Sequence, residues 1–132
     1  SKNIITFETK RKKIIINGDA EQLNRVFINL IKNSEEAFLE LTKKNPNFKG
    51  KIDIEIISNT DYIMIKLTDN GPGISDTKKA MTPYFTTKQK GTGLGLPIVS
   101  KIINEHSGDL SIYNKEQNRG INIQISFPNI NV

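Results

Sequence analysis

Apolar residues recur every three or four positions between residues 20 and 43, which is the spacing of a helix with one buried face. Asp19 stands just before this pattern, where an N-cap is expected, and Gln22 follows at the position that completes a capping box. Asn45 and Pro46 end the pattern, because the residue before a proline is disfavoured in a helix. The pattern therefore predicts one long amphipathic helix.

A second, shorter helix is predicted from about Gly95 to His106 by the apolar residues spaced along it. Gly108 follows, and we expect it to end the helix in the left-handed conformation, which glycine adopts without strain. His106 is the only histidine of the chain and stands at the helix C-terminus, where the helix dipole favours it. We therefore expect His106 to have a structural role as a cap.

Alternation of apolar and polar residues predicts short strands in the rest of the chain. Most of these strands follow one another as hairpins, which favours a mixed or antiparallel sheet with helices on one face. Because no repeat or linker divides the sequence, we expect one α/β domain over residues 1–132. The predicted strands cover residues 4–8, 13–17, 51–58, 62–68, 109–114 and 120–127.

The composition excludes several classes of protein. The chain of 132 residues has no cysteine, so disulfide frameworks and thiolate metal sites are excluded. No apolar run approaches the roughly 20 residues that cross a membrane, and the N-terminus lacks the apolar core of a signal peptide. The net charge of +5 comes from scattered basic residues without interleaved aromatic residues, which argues for a solvated surface and against nucleic-acid binding.

The segment Asp69–Ile74 (Asp-Asn-Gly-Pro-Gly-Ile) directly follows a predicted strand. An aspartate there is able to accept a hydrogen bond from an exocyclic amine, and the glycines let the backbone approach a flat ring closely. The same residues are also those that a tight turn prefers. Taken alone, the segment leaves both interpretations open.

The segment Gly91–Pro97 (Gly-Thr-Gly-Leu-Gly-Leu-Pro) opens the second predicted helix. Alternating glycines before a helix N-terminus leave backbone N–H groups able to bind an anion, and the helix dipole favours negative charge there. The spacing is neither that of the dinucleotide fingerprint nor that of the Walker P-loop. A glycine-rich linker is the alternative, but linkers do not alternate strictly and run straight into an apolar helix.

Asn29 and Asn33 lie four residues apart in the first predicted helix, so their side chains share one face. Asparagine is a mediocre helix former, and its carbonyl oxygen suits Mg²⁺, which keeps its own waters and bridges substrate phosphates. A partly exposed polar stripe is the alternative. A further segment, Pro83–Lys88, contains aromatic residues able to anchor a lid, while Thr87 and Lys88 are able to contact phosphates.

In this order, the four segments resemble the signature of sensor histidine kinases. Asn29–Ala37 resembles their asparagine box, Asp69–Ile74 and Gly91–Leu96 resemble their two glycine boxes, and Pro83–Lys88 resembles their phenylalanine box. The last two segments are most similar to NtrY-like or NtrB-like kinases of the nitrogen-regulation type. The resemblance covers nearly the whole chain. It implies a Bergerat-type fold of the GHKL superfamily: a two-layer α/β sandwich in which a mixed, mostly antiparallel sheet of about five strands packs on about three helices.

The resemblance also implies which residues bind ATP and Mg²⁺. By analogy, Asn33 binds the Mg²⁺, Asn29 supports the phosphate–metal side, and Asp69 receives the adenine amine. Gly73 permits close packing on the ring. The complete nucleotide-binding set that the resemblance implies is Asn29, Asn33, Asp69, Gly71, Gly73, Ile74, Thr87, Lys88, Gly91, Thr92, Gly93, Leu94, Gly95 and Leu96.

Asn29 separates two classes within the superfamily. ATPases of the gyrase, mismatch-repair and chaperone types place a glutamate there as a general base, whereas an asparagine cannot take up a proton. The resemblance therefore implies a catalytic domain that positions the γ-phosphate of ATP for a histidine on a separate helical hairpin, which this sequence lacks. The alternatives are a stand-alone ATPase of the same fold and an interaction module without nucleotide.

The resemblance also implies partners and location. We expect the chain to act with the phosphoacceptor histidine domain of its parent and, through that domain, with a response regulator. We expect a cytoplasmic location, whether or not the parent is anchored in the inner membrane. The isolated domain is expected to be a monomer without nucleic-acid partners, and to be unable to phosphorylate itself.

Overall fold

The computed structural model describes residues 4–9, 19–73, 95–115 and 120–129. Its elements are, in chain order, β1 (Ile4–Thr9), α1 (Ala20–Lys44), β2 (Lys51–Ser58), β3 (Tyr62–Asp69), α2 (Gly95–Glu105), β4 (Asp109–Asn114) and β5 (Ile121–Pro128). The five strands form one sheet in the order β1-β2-β3-β5-β4. β1 and β2 pair in parallel, and the other three pairs are antiparallel.

The two helices α1 and α2 cover one face of the sheet, so the described residues form two layers around one core. The alternation along β5 shows this clearly, because Ile123, Ile125 and Phe127 lie in the core while Gln124 and Ser126 face the other side. The buried core comprises Val26, Leu30, Phe38, Ile52, Ile65, Leu67, Val99, Ile102, Ile103, Ile121, Ile123, Ile125 and Phe127.

Asp19 caps the N-terminus of α1, as the sequence predicts. Its side chain accepts hydrogen bonds from the backbone N–H groups of Glu21 and Gln22. The second half of the predicted capping box is wrong, because the N–H of Asp19 donates to Nε2 of His106 at 2.9 Å. Nδ1 of His106 lies 2.8 Å from the carbonyl oxygen of Ile102, which fits a ring that donates from Nδ1 and accepts at Nε2. His106 therefore caps its own helix and also joins the end of α2 to the start of α1.

The C-terminus of α2 differs from the prediction at one residue. Ser107, not Gly108, has the positive φ angle, at 60°. The N–H of Ser107 donates to Asn104 and that of Gly108 donates to Ile103, which is the Schellman arrangement. Gly108 is needed for space instead, because a Cβ atom there would lie 2.8 Å from the carbonyl oxygen of Ser126.

The predicted fold class is confirmed. The strands predicted at 4–8, 51–58, 62–68, 109–114 and 120–127 match β1 to β5 to within one residue at each end. The strand predicted at 13–17 lies outside the described residues, within which there are two helices against the three expected. Within the same ranges, no helix is long and apolar enough to cross a membrane.

Candidate functional site

Asp69 is the last residue of β3 and is only 5% exposed. The strand alternates, so that Ile63, Ile65 and Leu67 are buried and Asp69 takes the next position on the same face. Burying a carboxylate costs free energy unless hydrogen bonds replace its water. The hydrogen-bond partners of Asp69 therefore decide what this side chain is able to do.

Three donors hold the carboxylate of Asp69. Oδ1 accepts from the backbone N–H of Gly71 at 3.0 Å and from that of Ile121 at 3.1 Å. Oδ2 accepts from the hydroxyl of Ser34 at 2.7 Å. Because an ionised carboxylate has about four acceptor positions, these bonds leave about one on Oδ2 for a further donor. Asp69 is thus a buried, fixed acceptor that is able to read one N–H group of a ligand.

Ser34 belongs to this candidate site and is not among the site residues that the sequence predicts. It is 4% exposed and lies on α1 between Leu30 and Phe38, each four residues away and fully buried. Ser34 interrupts a row of apolar residues on the buried face of α1. This pattern indicates that its hydroxyl needs a hydrogen-bond partner in the core. Its partner is Asp69, which joins α1 to the end of β3.

Both ends of the connection between β4 and β5 lie against the turn that follows Asp69. A Cβ atom at Gly73, where φ is 79°, would lie 2.7 Å from Oδ1 of Asn114. A Cβ atom at Gly120, where φ is 128°, would lie 1.9 Å from the carbonyl oxygen of Asp69. Lys115 also donates to that oxygen, at 3.4 Å. These close approaches fix the backbone of the turn, and both glycines are required for them.

The structure places Asn29 and Asn33 on α1, five residues and one residue before Ser34, and both are half-buried. Gly95 is the first residue of α2, and Leu96 beside it is half-buried. Because α1 packs against α2, the asparagine-bearing helix is a direct neighbour of the helix whose N-terminus is a predicted anion site.

Several predicted site residues are not placed by the structure. Ile74, Thr87, Lys88, Gly91, Thr92, Gly93 and Leu94 lie outside the described residues. Their assignment to nucleotide binding therefore remains a prediction. The described part of the predicted site comprises Asn29, Asn33, Asp69, Gly71, Gly73, Gly95 and Leu96.

The side-chain oxygen atoms of the candidate site suit a magnesium ion that is also bound by a phosphate ligand. In the part of the chain that the structure describes, no three His, Cys, Asp or Glu side chains come together as a metal cluster. Mg²⁺ does not need such a cluster, because it keeps waters and takes phosphate oxygens beside one or two protein ligands. The side-chain carbonyl of Asn33 is a hard oxygen ligand of the required kind, so the residues fit Mg²⁺ bound together with phosphates.

A family model described as histidine kinase-, DNA gyrase B-, and HSP90-like ATPase matches residues 18–131 of the chain. Sporulation kinase B of Bacillus subtilis is 40% identical over 117 residues, which is 87% of this chain and 26% of that protein. An NtrY-like sensor histidine kinase of Rickettsia conorii is 40% identical over 123 residues, covering 92% of this chain and 19% of that protein. The chain thus spans only a fifth to a quarter of the length of these relatives.

Solved structures show the same architecture. The catalytic domain of histidine kinase ThkA superposes with a TM-score of 0.78 at 30% sequence identity, covering 97% of this chain and 80% of that one. The similarity therefore includes the whole two-layer fold and the elements that carry Asp69, Asn29 and Asn33.

Proposed function

Since this chain belongs to the family of histidine kinase-, DNA gyrase B- and HSP90-like ATPases, we propose that it binds ATP with Mg²⁺ as the catalytic domain of a two-component sensor kinase. In this role it positions the γ-phosphate for transfer to a histidine on a separate helical domain. The observation that carries the proposal is the buried carboxylate of Asp69, held by three donors and able to accept one more.

Asp69 reads the adenine ring in this proposal. The 6-amino group of adenine donates to Oδ2, the oxygen that has an acceptor position left beside the hydroxyl of Ser34. Gly73 has a left-handed backbone and no side chain, so the ring packs directly on the turn. Asp69 is held by backbone and buried groups before the ligand arrives, which keeps the ordering cost of binding low.

The phosphates lie between α1 and the N-terminus of α2. Asn33 holds the Mg²⁺, and Asn29 supports the phosphate–metal side of the site. The first N–H groups of α2, at Gly95 and Leu96, face the phosphate oxygens. The bound ion neutralises charge on the β- and γ-phosphates. The resemblance assigns further nucleotide contacts to residues outside the described ranges: Ile74, Thr87, Lys88, Gly91, Thr92, Gly93 and Leu94.

The proposed reaction does not need a general base at Asn29. An amide takes up no proton, so a water molecule bound there is not activated. A neutral imidazole already carries a nucleophilic lone pair. Its nitrogen forms the bond to the γ-phosphorus while the bond from that phosphorus to the β–γ bridging oxygen breaks. ADP leaves with the electron pair, and the phosphoimidazolium loses its one N–H proton, on the other ring nitrogen, to solvent.

His106 is a poor candidate for this nucleophile. Its Nε2 lone pair accepts the N–H of Asp19, and its Nδ1 carries the proton that bonds the carbonyl of Ile102. This supports an acceptor histidine on another domain of the parent protein, which then passes the phosphoryl group to a response regulator. The parent acts in the cytoplasm or from the inner membrane with this domain in the cytoplasm, and the isolated domain is a monomer.

The test is phosphoryl transfer between separate pieces. The chain is incubated with γ-labelled ATP and Mg²⁺, alone and with the phosphoacceptor domain of its parent. We expect no label on the chain alone, label on the added domain, and none when the acceptor histidine of that domain is replaced by alanine. Label on the chain itself that disappears in His106→Gln would overturn the proposal, and steady phosphate release by the chain alone would favour a stand-alone ATPase.

A further inference from the structure

Asn70 directly follows Asp69 and makes three hydrogen bonds, two to Lys51 at the start of β2 and one to Lys49 just before it. Its backbone N–H donates to the carbonyl of Lys51 at 3.3 Å. Its side-chain Oδ1 accepts from the N–H of Lys51 at 2.7 Å, and its Nδ2 donates to the carbonyl of Lys49 at 3.0 Å. The side-chain amide thus uses a donor and an acceptor together, as a peptide group of a neighbouring strand would.

These bonds extend the sheet by one step beyond its last backbone pair. The register of β2 with β3 ends at the pair of Ile52 with Asp69. In the continued register Asn70 stands opposite Lys51, and its side-chain Oδ1 accepts the Lys51 N–H in place of a backbone carbonyl. The turn is therefore fixed from β2 by Asn70, just as it is fixed from β5 by the close approach of Gly120.

The position of Asn70 is coupled to the carboxylate of Asp69 through the next residue. The N–H of Gly71 donates to Oδ1 of Asp69, which closes a short turn with Asn70 at its centre. If Asn70 moves away from β2, this N–H rotates, and the carboxylate loses one of its three donors. The position of Oδ2 of Asp69 thus depends on the side chain of Asn70, which binds β2 and not the proposed ligand.

We infer that Asn70 is a positioning residue that sets the selectivity of the site for a 6-amino purine. The inference rests on the proposed function, because it requires Asp69 to contact the adenine amine. If Asn70 only strengthened the sheet, its substitution would lower the stability of the fold. It would then weaken the binding of all nucleotides to the same extent. A residue that positions Asp69 changes the ratio between nucleotides that differ only in the amine.

The experiment compares two nucleotides that differ only at carbon 6. ATP carries the amine there, and purine riboside triphosphate carries hydrogen. The dissociation constants of both with Mg²⁺ are measured for the wild-type chain, Asn70→Ala and Asn70→Asp. Asn70→Asp keeps the acceptor for the N–H of Lys51 but places an oxygen opposite the carbonyl of Lys49. It therefore removes one of the two side-chain hydrogen bonds.

Asn129→Ala is the matched control. Asn129 is also an asparagine that binds the sheet through its side chain, since its Nδ2 donates to the carbonyl of Asn59 and to the hydroxyl of Ser58. It lies beyond the other end of β3, about 25 Å from the turn at roughly 3.3 Å per residue. This control therefore reports the general effect of weakening the sheet.

We expect the wild-type chain to prefer ATP, and Asn70→Ala to reduce this preference about fivefold, the effect of one misplaced hydrogen bond. The preference of Asn70→Asp for ATP falls between those of the wild-type chain and Asn70→Ala. Asn129→Ala keeps the wild-type preference. Equal weakening of both nucleotides in both Asn70 variants would overturn the inference while leaving the proposed function in place. Should Asn70→Ala fail to fold, the preference of Asn70→Asp decides. Absence of binding by the wild-type chain would remove the proposed function and this inference together, whereas equal binding of both nucleotides would overturn the inference and the contact of Asp69 with the amine.

Discussion

Ser34 donates a 2.7 Å hydrogen bond to Oδ2 of Asp69, joining two residues that lie 35 positions apart in the chain. The bond connects α1, which carries Asn29 and Asn33, with the end of β3. Both partners are buried, so water does not replace this bond when it is lost. The phosphate side and the ring side of the proposed nucleotide site are therefore aligned by the packing of one helix on one sheet.

Ser34→Ala tests this alignment. We expect the free energy of unfolding to fall by about 1 kcal/mol, and ATP to bind about fivefold more weakly, because Oδ2 of Asp69 loses the donor that orients it. Urea denaturation and calorimetric titration measure the two effects. Ser111→Ala on β4 is the control, since Ser111 is exposed. An affinity for ATP that stays unchanged in Ser34→Ala would show that this bond serves the core alone.

The sequence predicts the elements well because each depends on local patterning. The alternation of Ile63, Ile65 and Leu67 predicts β3, and Asp19 predicts the start of α1. The same alternation predicts that Asp69 directly follows the strand, and the structure makes it the last residue of β3. The sequence does not predict that the hydroxyl of Ser34 donates to the carboxylate of Asp69. A single serine in a helix is compatible with exposure as well as burial.

The errors at the helix ends have a similar cause. The capping box expected at Asp19 is completed by His106, which is 87 residues away. No local pattern specifies that contact, since it depends on how α1 and α2 pack. At the end of α2, Gly108 was assigned the left-handed conformation that Ser107 adopts, because the close contact of Gly108 with β5 is a tertiary requirement.

The approach of Gly120 to Asp69 predicts a large difference between two glycine substitutions. Gly120→Ala places a Cβ atom 1.9 Å from the carbonyl of Asp69 at a φ of 128°, so we expect a loss of more than about 3 kcal/mol in the free energy of unfolding. A Cβ atom in Gly71→Ala meets the ring of Phe38 at 3.3 Å and Oδ1 of Asp69 at 3.4 Å, and we expect a loss of about 1 kcal/mol. Thermal unfolding measures both losses, and similar losses would show that the Gly120 contact relaxes easily.

The two roles of His106 are separable by substitution. His106→Gln retains an acceptor for the N–H of Asp19, whereas His106→Asn retains a donor for the carbonyl of Ile102. If the bond between the helices matters more, His106→Gln is the more stable variant by about 0.5–1 kcal/mol, and His106→Ala is the least stable. Urea denaturation provides the comparison. Greater stability of His106→Asn would assign the main role to the cap of α2.

Asn29→Glu tests why the chain is expected to transfer phosphate rather than hydrolyse ATP. A glutamate there supplies the missing general base, so we expect steady phosphate release by the isolated chain to rise about ten- to a hundredfold. Asn24→Glu is the matched control, since Asn24 is an exposed residue on the same helix. Equal turnover in the wild-type chain and Asn29→Glu would contradict the role assigned to this position.

The measurement that tests the central claim most directly is calorimetric titration with a non-hydrolysable ATP analogue, with and without Mg²⁺, on the wild-type chain and Asp69→Asn. The amide of the variant must turn a donor towards one of the three groups that now donate to Asp69. Asp61→Asn is the control, since it makes the same chemical change at an exposed turn residue. We predict saturable, Mg²⁺-dependent binding that weakens at least about tenfold in Asp69→Asn and is retained in Asp61→Asn. Equal affinity in Asp69→Asn, or no binding by the wild-type chain, would contradict the account.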